Sequence, residues 1–393
     1  MEFRLLGSLV ERKIGYGIVQ PGQSVNGGVP VIKVNNLIAG LKSVDDLDTT
    51  TVETAAKYSR TKLKGGELIV SVVGTIGKTA VVPASFAGCY LVRATALIDI
   101  PEPWLSYWVK YYIDSPAGQS YIDQNLNTTV QPTLNIKSLV EMPIPFFNTT
   151  DMKKTVAFLK AIDDKIANNS QINDNLQQQA YAYFLRLFVE NADPSWRVGT
   201  IADLGTVVGG GTPSKAKPEY YTEDGIAWIT PKDLSIDKSK FIAHGENDIS
   251  ELGYRNSSAT MMPAGTVLFS SRAPIGYIAI ASNEVTTNQG FKSVVPRPEI
   301  GTPFVYYFLI HNLPLIESKA SGSTFKEISG SVMKSVEAVI PDGETISKFN
   351  DFCRPIFTMQ EKLEQENRKL AAMRDSLLPR LMSGEIDVTD IDI

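Results

Sequence analysis

Residues 346–382 read ISKFNDFCRPIFTMQEKLEQENRKLAAMRDSLLPRLM, and residues 155–188 read TVAFLKAIDDKIANNSQINDNLQQQAYAYFLRLF. A shift of 194 residues lays Phe158 on Phe352, Gln171 on Gln365, Asn173 on Asn367, Leu176 on Leu370, Arg186 on Arg380 and Leu187 on Leu381. In the later stretch Ile356, Leu363, Leu370 and Leu377 recur every seven residues, with Met359 and Met373 at companion positions. In the earlier one the same heptad positions are Ile162, Asn169, Leu176 and Tyr183, with Ile166 and Ile172 extending the apolar stripe. A seven-residue apolar repeat held over about three heptads predicts helices that pair as a coiled coil. The pairing residues expected are Ile162, Ile166, Ile172, Leu176 and Tyr183 against Ile356, Met359, Leu363, Leu370, Met373 and Leu377.

The repeat extends outward from the helices. Gly225 to Leu234 (GIAWITPKDL) lies over Gly28 to Leu37 (GVPVIKVNNL), and Gly265, Ser270, Ile275 and Gly276 lie over Gly66, Ser71, Ile76 and Gly77. The chain is thus one unit written twice: a body at 1–150, a long helix with its linker at 151–194, a second body at 195–341, and a second long helix with a tail at 342–393. Within the first body, Val29 to Val34, Leu68 to Val73, Thr79 to Val82, Tyr90 to Ile100 and Val140 to Phe146 read as strands, and Trp104 to Ile113 as a packed amphipathic helix. Asn148, Thr149, Thr150 and Asp151 offer caps for the first long helix, and Asn191-Ala192-Asp193-Pro194 stops it. If the helices pair and the repeats are related by a pseudo-twofold, they run antiparallel. The fold class expected is α+β: two mixed α/β bodies, pseudo-twofold related, separated by two long antiparallel coiled-coil helices.

The chain has 393 residues, 43% apolar and 21% charged, the profile of an ordinary soluble globular protein of two or three domains. No apolar run approaches the ~20 residues of a membrane span, and Glu2, Arg4, Glu11, Arg12 and Lys13 interrupt any opening signal. Two cysteines, Cys89 and Cys353, sit in different halves, so a disulfide framework is not expected and a reducing cytoplasm is the default. The net charge of -5 is unevenly spread. The two bodies are close to neutral, and residues 342–393 carry 11 acids against 7 bases.

Catalytic motifs are missing. Gly77-Lys78-Thr79 lacks the Gly five residues earlier that a phosphate loop needs, since that position is Val72. Its repeat, Gly276-Tyr277, has no lysine. Gly209-Gly210-Gly211-Thr212-Pro213-Ser214-Lys215 fails the same test, because a serine precedes the lysine; its glycines permit tight turns, and two readings stay open, turn geometry alone or a loop whose Lys215 and Lys217 reach phosphates. His244 and His311 have no Cys or His companions at ligand spacing, which argues against a metal site or a triad. No cofactor is implied. What remains is polar, flexible and basic, at matching places in both bodies. The first body offers Lys33, Asn35, Asn36, Arg60, Lys62, Lys64, Thr75, Lys78, Thr128, Thr129 and Gln131. The second offers Thr212, Ser214, Lys215, Lys232, Arg272, Ser323, Thr324 and Lys326. Lys and Arg suit phosphates, and Arg, Asn and Gln suit bidentate contacts to base edges. A solvated surface is the ordinary reading of any one of them; the set is more informative than its members.

At this point the chain resembles the specificity (S) subunit of type I restriction–modification enzymes. The resemblance covers the whole chain and is carried by Leu377-Leu378-Pro379-Arg380-Leu381-Met382-Ser383-Gly384-Glu385-Ile386, by Gly210-Gly211-Thr212-Pro213-Ser214 with Gly225-Ile226-Ala227-Trp228-Ile229, and by Gly28 to Val34 with Gly74-Thr75-Ile76-Gly77. It departs where the first helix ends in Leu185-Arg186-Leu187-Phe188 without a Leu-Pro-Arg. The resemblance implies two target-recognition domains, each reading half of a split site in double-stranded DNA, with the helices setting the unread spacer. It also implies two methyltransferase (M) subunits as partners, motor–nuclease (R) subunits when DNA is cut, and no catalysis by this chain itself. Two other readings stay open: a tandem-repeat scaffold that binds proteins without base readout, and an enzyme acting alone on nucleic acid.

Overall fold

A computed structural model of the chain describes residues 2–127, 132–322, 326–386 and 388. The chain forms two compact units, residues 1–166 with 369–393, and residues 167–368. Each unit therefore combines one globular body with a part of both long helices, Thr149–Leu185 and Gly343–Met382.

The first body holds a sheet in the spatial order Arg12–Tyr16, Thr95–Asp99, Leu68–Ser71, Thr79–Val81, and a second in the order Asp48–Thr50, Val29–Ile32, Tyr90–Leu91. Glu2–Leu5 and Pro143–Phe146 make a separate antiparallel pair. The second body repeats this frame. Gly205–Gly209, Lys292–Pro296, Val267–Ser271 and Ile275–Ala281 lie in the same order, extended by Phe241–Ile242. Asn247–Ile249, Ile226–Ile229 and Thr286–Thr287 match the second sheet, extended by Tyr221–Thr222. Arg197–Thr200 pairs with Glu337–Ile340 as the separate ribbon. The turns agree as well: Gly66 and Gly265, and Gly77 and Gly276, all have positive φ. Gly74 (φ 78°) is matched by Ala273 (φ 49°), which holds with a Cβ a conformation that glycine enters freely.

All five expected strands of the first body are shorter than their sequence suggests: Val29 to Val34 keeps Val29–Ile32, with Val34 opening a helix, Leu68 to Val73 keeps Leu68–Ser71, Thr79 to Val82 keeps Thr79–Val81, and the other two are cut further. Tyr90 to Ile100 breaks into Tyr90–Leu91 and Thr95–Asp99, which belong to different sheets. The Thr95 N–H turns back to the Val92 carbonyl at 3.0 Å, so Arg93 and Ala94 form a turn between the two strands. In Val140 to Phe146 only Pro143–Phe146 is strand, because Asn135 caps a short helix, Ile136–Val140, before it. The helix expected at Trp104 to Ile113 is present as Pro103–Asp114, with Trp108 fully buried and its indole N–H donating to the Pro145 carbonyl at 2.9 Å.

Asn148 caps the first long helix, its Oδ1 accepting from the Thr150 N–H at 2.8 Å. Asp342 does the same for the second, accepting from the Thr345 N–H at 2.8 Å. In the first unit Met152, Val156 and Leu159 of one helix and Leu378, Leu381 and Met382 of the other enter the body's core. In the second unit Phe184 packs on Phe349, with ring centroids 5.8 Å apart, beside Phe304 and Tyr307.

Within the second unit the helices run antiparallel, since Asn169 meets Asn367, Asn173 meets Gln360 and Glu364, and Tyr183 meets Phe352. Ile162, Ile356 and Leu363 are buried, and Ile166, Ile172, Leu176, Tyr183, Leu370 and Leu377 are half-buried. Met359 and Met373 are exposed and do not line the seam. The track alternating four and three residues from Ile356 passes instead through Gln360, Leu363, Asn367, Leu370 and Arg374. Polar side chains take these inward positions because each has a partner. The Asn169 amide donates to Asn367 Oδ1 at 2.9 Å, and the Gln360 amide donates to the Asn173 carbonyl at 3.2 Å. In the first unit Arg374 pairs with Asp163 at 2.7 Å, and Asp163 also accepts from the Tyr111 hydroxyl at 2.9 Å.

Lys240 joins the second body to this seam. Its ammonium is buried, donating to Gln360 Oε1 at 2.6 Å and the Tyr307 hydroxyl at 3.2 Å, and lying over the Phe357 ring at 4.1 Å. The Glu364 carboxylate accepts the backbone N–H groups of Lys240 and Phe241 at 2.9 and 3.0 Å. Burial pushes the Lys240 ammonium down to about 7 from 10.5, opposed by the attraction of Glu364. Between those values the unfolded chain binds the proton and the folded one releases it, so stability rises with pH across that window. Measured by urea unfolding, the native chain should gain on the order of 3 kcal/mol over Lys240→Met between pH 7 and pH 10. The two should run parallel below pH 7, and a difference that does not change with pH would exclude this origin.

Candidate nucleic-acid interface

The second body carries an open cleft of about 680 Å³. Its floor is aromatic. The Trp228 indole N–H donates to the Gly211 carbonyl at 2.9 Å, the Tyr221 hydroxyl donates to the Pro213 carbonyl at 2.7 Å, and the two rings meet edge to face at 5.7 Å. These contacts hold the glycine-rich loop against the sheet. A Cβ on Gly210 would lie 2.0 Å from the Asn288 carbonyl oxygen, and one on Gly211 would lie 2.3 Å from Ser258 backbone. Close backbone approach, and not merely a turn, demands the two glycines.

The walls are cationic and amide-bearing. Thr212, Lys215, Lys232 and Arg272 line the cleft together, so the structure gathers four of the sequence-derived residues. Lys232 forms an ion pair with Glu246, whose carboxylate holds the ammonium above its ordinary pKa and therefore charged. Arg272 stands 3.6 Å from Glu327, and Lys292 reaches the same carboxylate at 3.7 Å. Asp233 accepts from the Thr230 N–H at 2.7 Å, from the Thr230 hydroxyl, and from the Glu246 N–H at 2.9 Å, fixing the helix Pro231–Ile236 that bears Lys232. Ser214 and Lys326 are exposed but are not among the lining residues. Ser323 and Thr324 lie outside the described residues.

In the first body the sequence-derived residues fall into separate groups. Lys33, Asn35 and Asn36 open the helix Val34–Ala39, where the Lys33 ammonium pairs with Asp48 at 2.6 Å and its N–H donates to Asn36 Oδ1 at 2.8 Å. Asn36 is thereby engaged, while Asn35 is exposed. Arg60 and Lys62 give their carbonyls to the Arg12 guanidinium at 3.2 and 3.0 Å and leave their side chains exposed. Lys64 reaches Asp99 at 3.7 Å. Thr75 and Lys78 sit on the hairpin turn, both backbones tied to the Ser71 hydroxyl. Lys78 also edges a cavity of about 620 Å³ shared with Lys110, Asp114 and Arg374. Thr128, Thr129 and Gln131 lie outside the described residues.

Among the described residues no three His, Cys, Asp or Glu side chains are grouped to hold a metal ion, and no helix is long and apolar enough to cross a membrane. The family model described as the type I restriction modification DNA specificity domain matches twice, over residues 1–178 and 194–366. The chain belongs to this family. Among relatives, the MjaIX specificity subunit of Methanocaldococcus jannaschii is 42% identical over 155 residues, 39% of this chain and 36% of that one. The HindI specificity subunit of Haemophilus influenzae is 30% identical over 194 residues, 49% of this chain and 42% of that one. The matched part thus spans less than half the length of either relative. The crystal structure of a type I restriction–modification S subunit from M. genitalium is similar in fold, with a TM-score of 0.57 at 16% identity, covering 96% of this chain and 95% of that one.

Three further polar residues of the cleft are absent from the set that the sequence offers. Asn247, Asn288 and Gln289 line it beside Arg272. Asn288 and Gln289 stand in the polar run Thr286-Thr287-Asn288-Gln289 after Val285, and Asn247 follows Glu246 with no pattern that links it to them. Replacing Asp233 with Ala orphans the Thr230 and Glu246 N–H groups and should cost about 2 kcal/mol in thermal or urea unfolding. Asp233→Asn, which keeps an accepting oxygen, should lose less than half of that.

Proposed function

We propose that this chain is the non-catalytic DNA sequence-recognition subunit of a type I restriction–modification complex. Each body reads one half of a bipartite, asymmetric duplex site, and the two long helices act as a coiled coil that sets the unread spacer. The same helices dock two methyltransferase subunits, and motor–nuclease subunits join for cleavage, in the cytoplasm. The domain limits are those of the repeat: recognition at 1–150 and 195–341, helices at 151–194 and 342–393. The observation that carries the reading is the second-body cleft, where Lys215, Lys232 and Arg272 stand among Asn247, Asn288 and Gln289 on a repeated frame. Cations neutralise phosphates and amides read base edges, the two things a sequence-specific duplex reader must do. The names of the relatives, all specificity subunits of type I restriction enzymes, support the same function.

The remaining sequence-derived residues, Lys33, Asn35, Arg60, Lys62, Lys64, Thr75, Lys78, Thr128, Thr129 and Gln131 in the first body and Ser214, Ser323, Thr324 and Lys326 in the second, belong to the same DNA-facing role. Seam pairing along Ile162, Leu176, Ile356, Leu363 and Leu370 belongs to the spacer-setting role.

Two outcomes test this. Duplex binding by the chain with its methyltransferase should weaken steeply from 50 to 200 mM salt, log K falling linearly with log salt; a protein-binding scaffold would show no such slope towards DNA. Inserting one heptad into each long helix adds about 10 Å of helix and should lengthen the preferred spacer by about three base pairs, with both half-sites unchanged. Methylation-site sequencing reads this directly, and an unchanged spacer would refute the ruler.

A further inference from the structure

The break that splits Tyr90 to Ile100 places Arg93 in a turn, and the second body makes the same turn around Gln289. Four pairs of backbone hydrogen bonds establish the equivalence. Val92 N–H donates to the Ile32 carbonyl at 3.2 Å, and Asn288 N–H to the Ile229 carbonyl at 3.0 Å. Ile18 N–H donates to Leu91 at 2.6 Å, and Gly211 N–H to Thr287 at 2.8 Å. Val72 N–H donates to Ala94 at 2.8 Å, and Ser271 N–H to Gly290 at 2.7 Å. Thr95 N–H closes on Val92 at 3.0 Å, and Phe291 N–H closes on Asn288 at 3.3 Å. Between each set of anchors one side chain is left pointing out of the ladder, and both are exposed: Arg93 and Gln289.

Their chemistry differs where their backbones agree. Gln289 lines the cleft and accepts the Thr212 hydroxyl on Oε1, which leaves its NH₂ to donate and an Oε1 lone pair to accept. Arg93 makes no side-chain hydrogen bond or ion pair among the described residues, unlike Arg272, which faces Glu327. Its donors are therefore free, and no carboxylate must be displaced before it binds. In the major groove a guanidinium matches the two acceptors of guanine, and a primary amide matches the donor–acceptor pair of adenine.

We propose that Arg93 and Gln289 are the equivalent base-reading residues of the two bodies, Arg93 taking a guanine in one half-site and Gln289 an adenine at the corresponding place in the other. The inference rests on the DNA-reading function above and goes further, because it says how one repeated frame produces two different half-sites.

The test is modified-base sequencing of genomic DNA from cells carrying the chain and its cognate methyltransferase, for the native chain, Arg93→Gln and Gln289→Arg. Arg93→Gln should lower discrimination at one guanine of one half-site by about 5- to 150-fold and leave the other half unchanged. Gln289→Arg should do the same at one adenine of the opposite half. A uniform loss across all sites marks a phosphate contact and overturns the proposal. So does an unchanged motif, or two changes falling in the same half. Thermal melting checks that each variant folds; where one does not, Arg93→Met or Gln289→Met, which keep the length of the side chain and remove its hydrogen-bonding groups, is sequenced in its place, and an intact motif there likewise overturns it. Failure of the underlying function looks different, for then the native chain itself leaves no bipartite motif.

Discussion

Buried amides between two helices tolerate few arrangements, and the second unit depends on that intolerance. Asn169, Asn173, Gln360 and Asn367 sit on the inward track where leucines would pack in almost any register. An apolar seam slides by a heptad at little cost, whereas a buried amide without its partner costs about 1–3 kcal/mol. The observed antiparallel alignment gives each of the four a hydrogen bond across the seam. Lys240 and Glu364 then tie the body to the aligned helices, because the carboxylate closes two backbone N–H groups of the strand Phe241–Ile242 and its approach. The aromatic cluster around Phe184, Phe304 and Phe349 packs the helices onto the body without fixing a register, and the buried polar minority supplies that register.

The repeated frame shows how a single scaffold carries unlike surfaces. Backbone hydrogen bonds of both bodies agree through the turn after the parallel strand, so the scaffold does not depend on the residue displayed there. The same holds at the hairpin, where Gly74 is replaced by Ala273 beside Arg272. A change of side chain at such a position alters what is touched without altering what is folded. Family membership, from two matches of one domain model, agrees with this internal duplication.

Particular residues show where the sequence was legible. The long helices were, since a heptad repeat over several turns has no other compact explanation. Asn148 and the stop at Asn191 to Pro194 were also visible, because caps and breakers act locally. Met359 and Met373 were misplaced because hydropathy pointed inward while Gln360 and Asn367 had distant partners that no local pattern reveals. The break at Arg93 and Ala94 was invisible for the same reason: a run of strand-forming residues says nothing about a change of sheet.

The sequence by itself determined the duplication, the two long helices, the mixed character of the bodies and the family, all of which are written in spacing or in short contiguous motifs. Four cleft residues, Thr212, Lys215, Lys232 and Arg272, were also within its reach, because basic and polar residues at matching places of a repeat can be read from the chain alone. Tertiary structure alone decided that Asn247, Asn288 and Gln289 join them, that Lys33 is engaged by Asp48, and that Arg93 occupies the position of Gln289. The reason is physical. Periodicity and capping are properties of neighbouring residues, whereas a cleft is made by strands brought side by side, and the hydrogen bonds that bring them there carry no trace of side-chain identity.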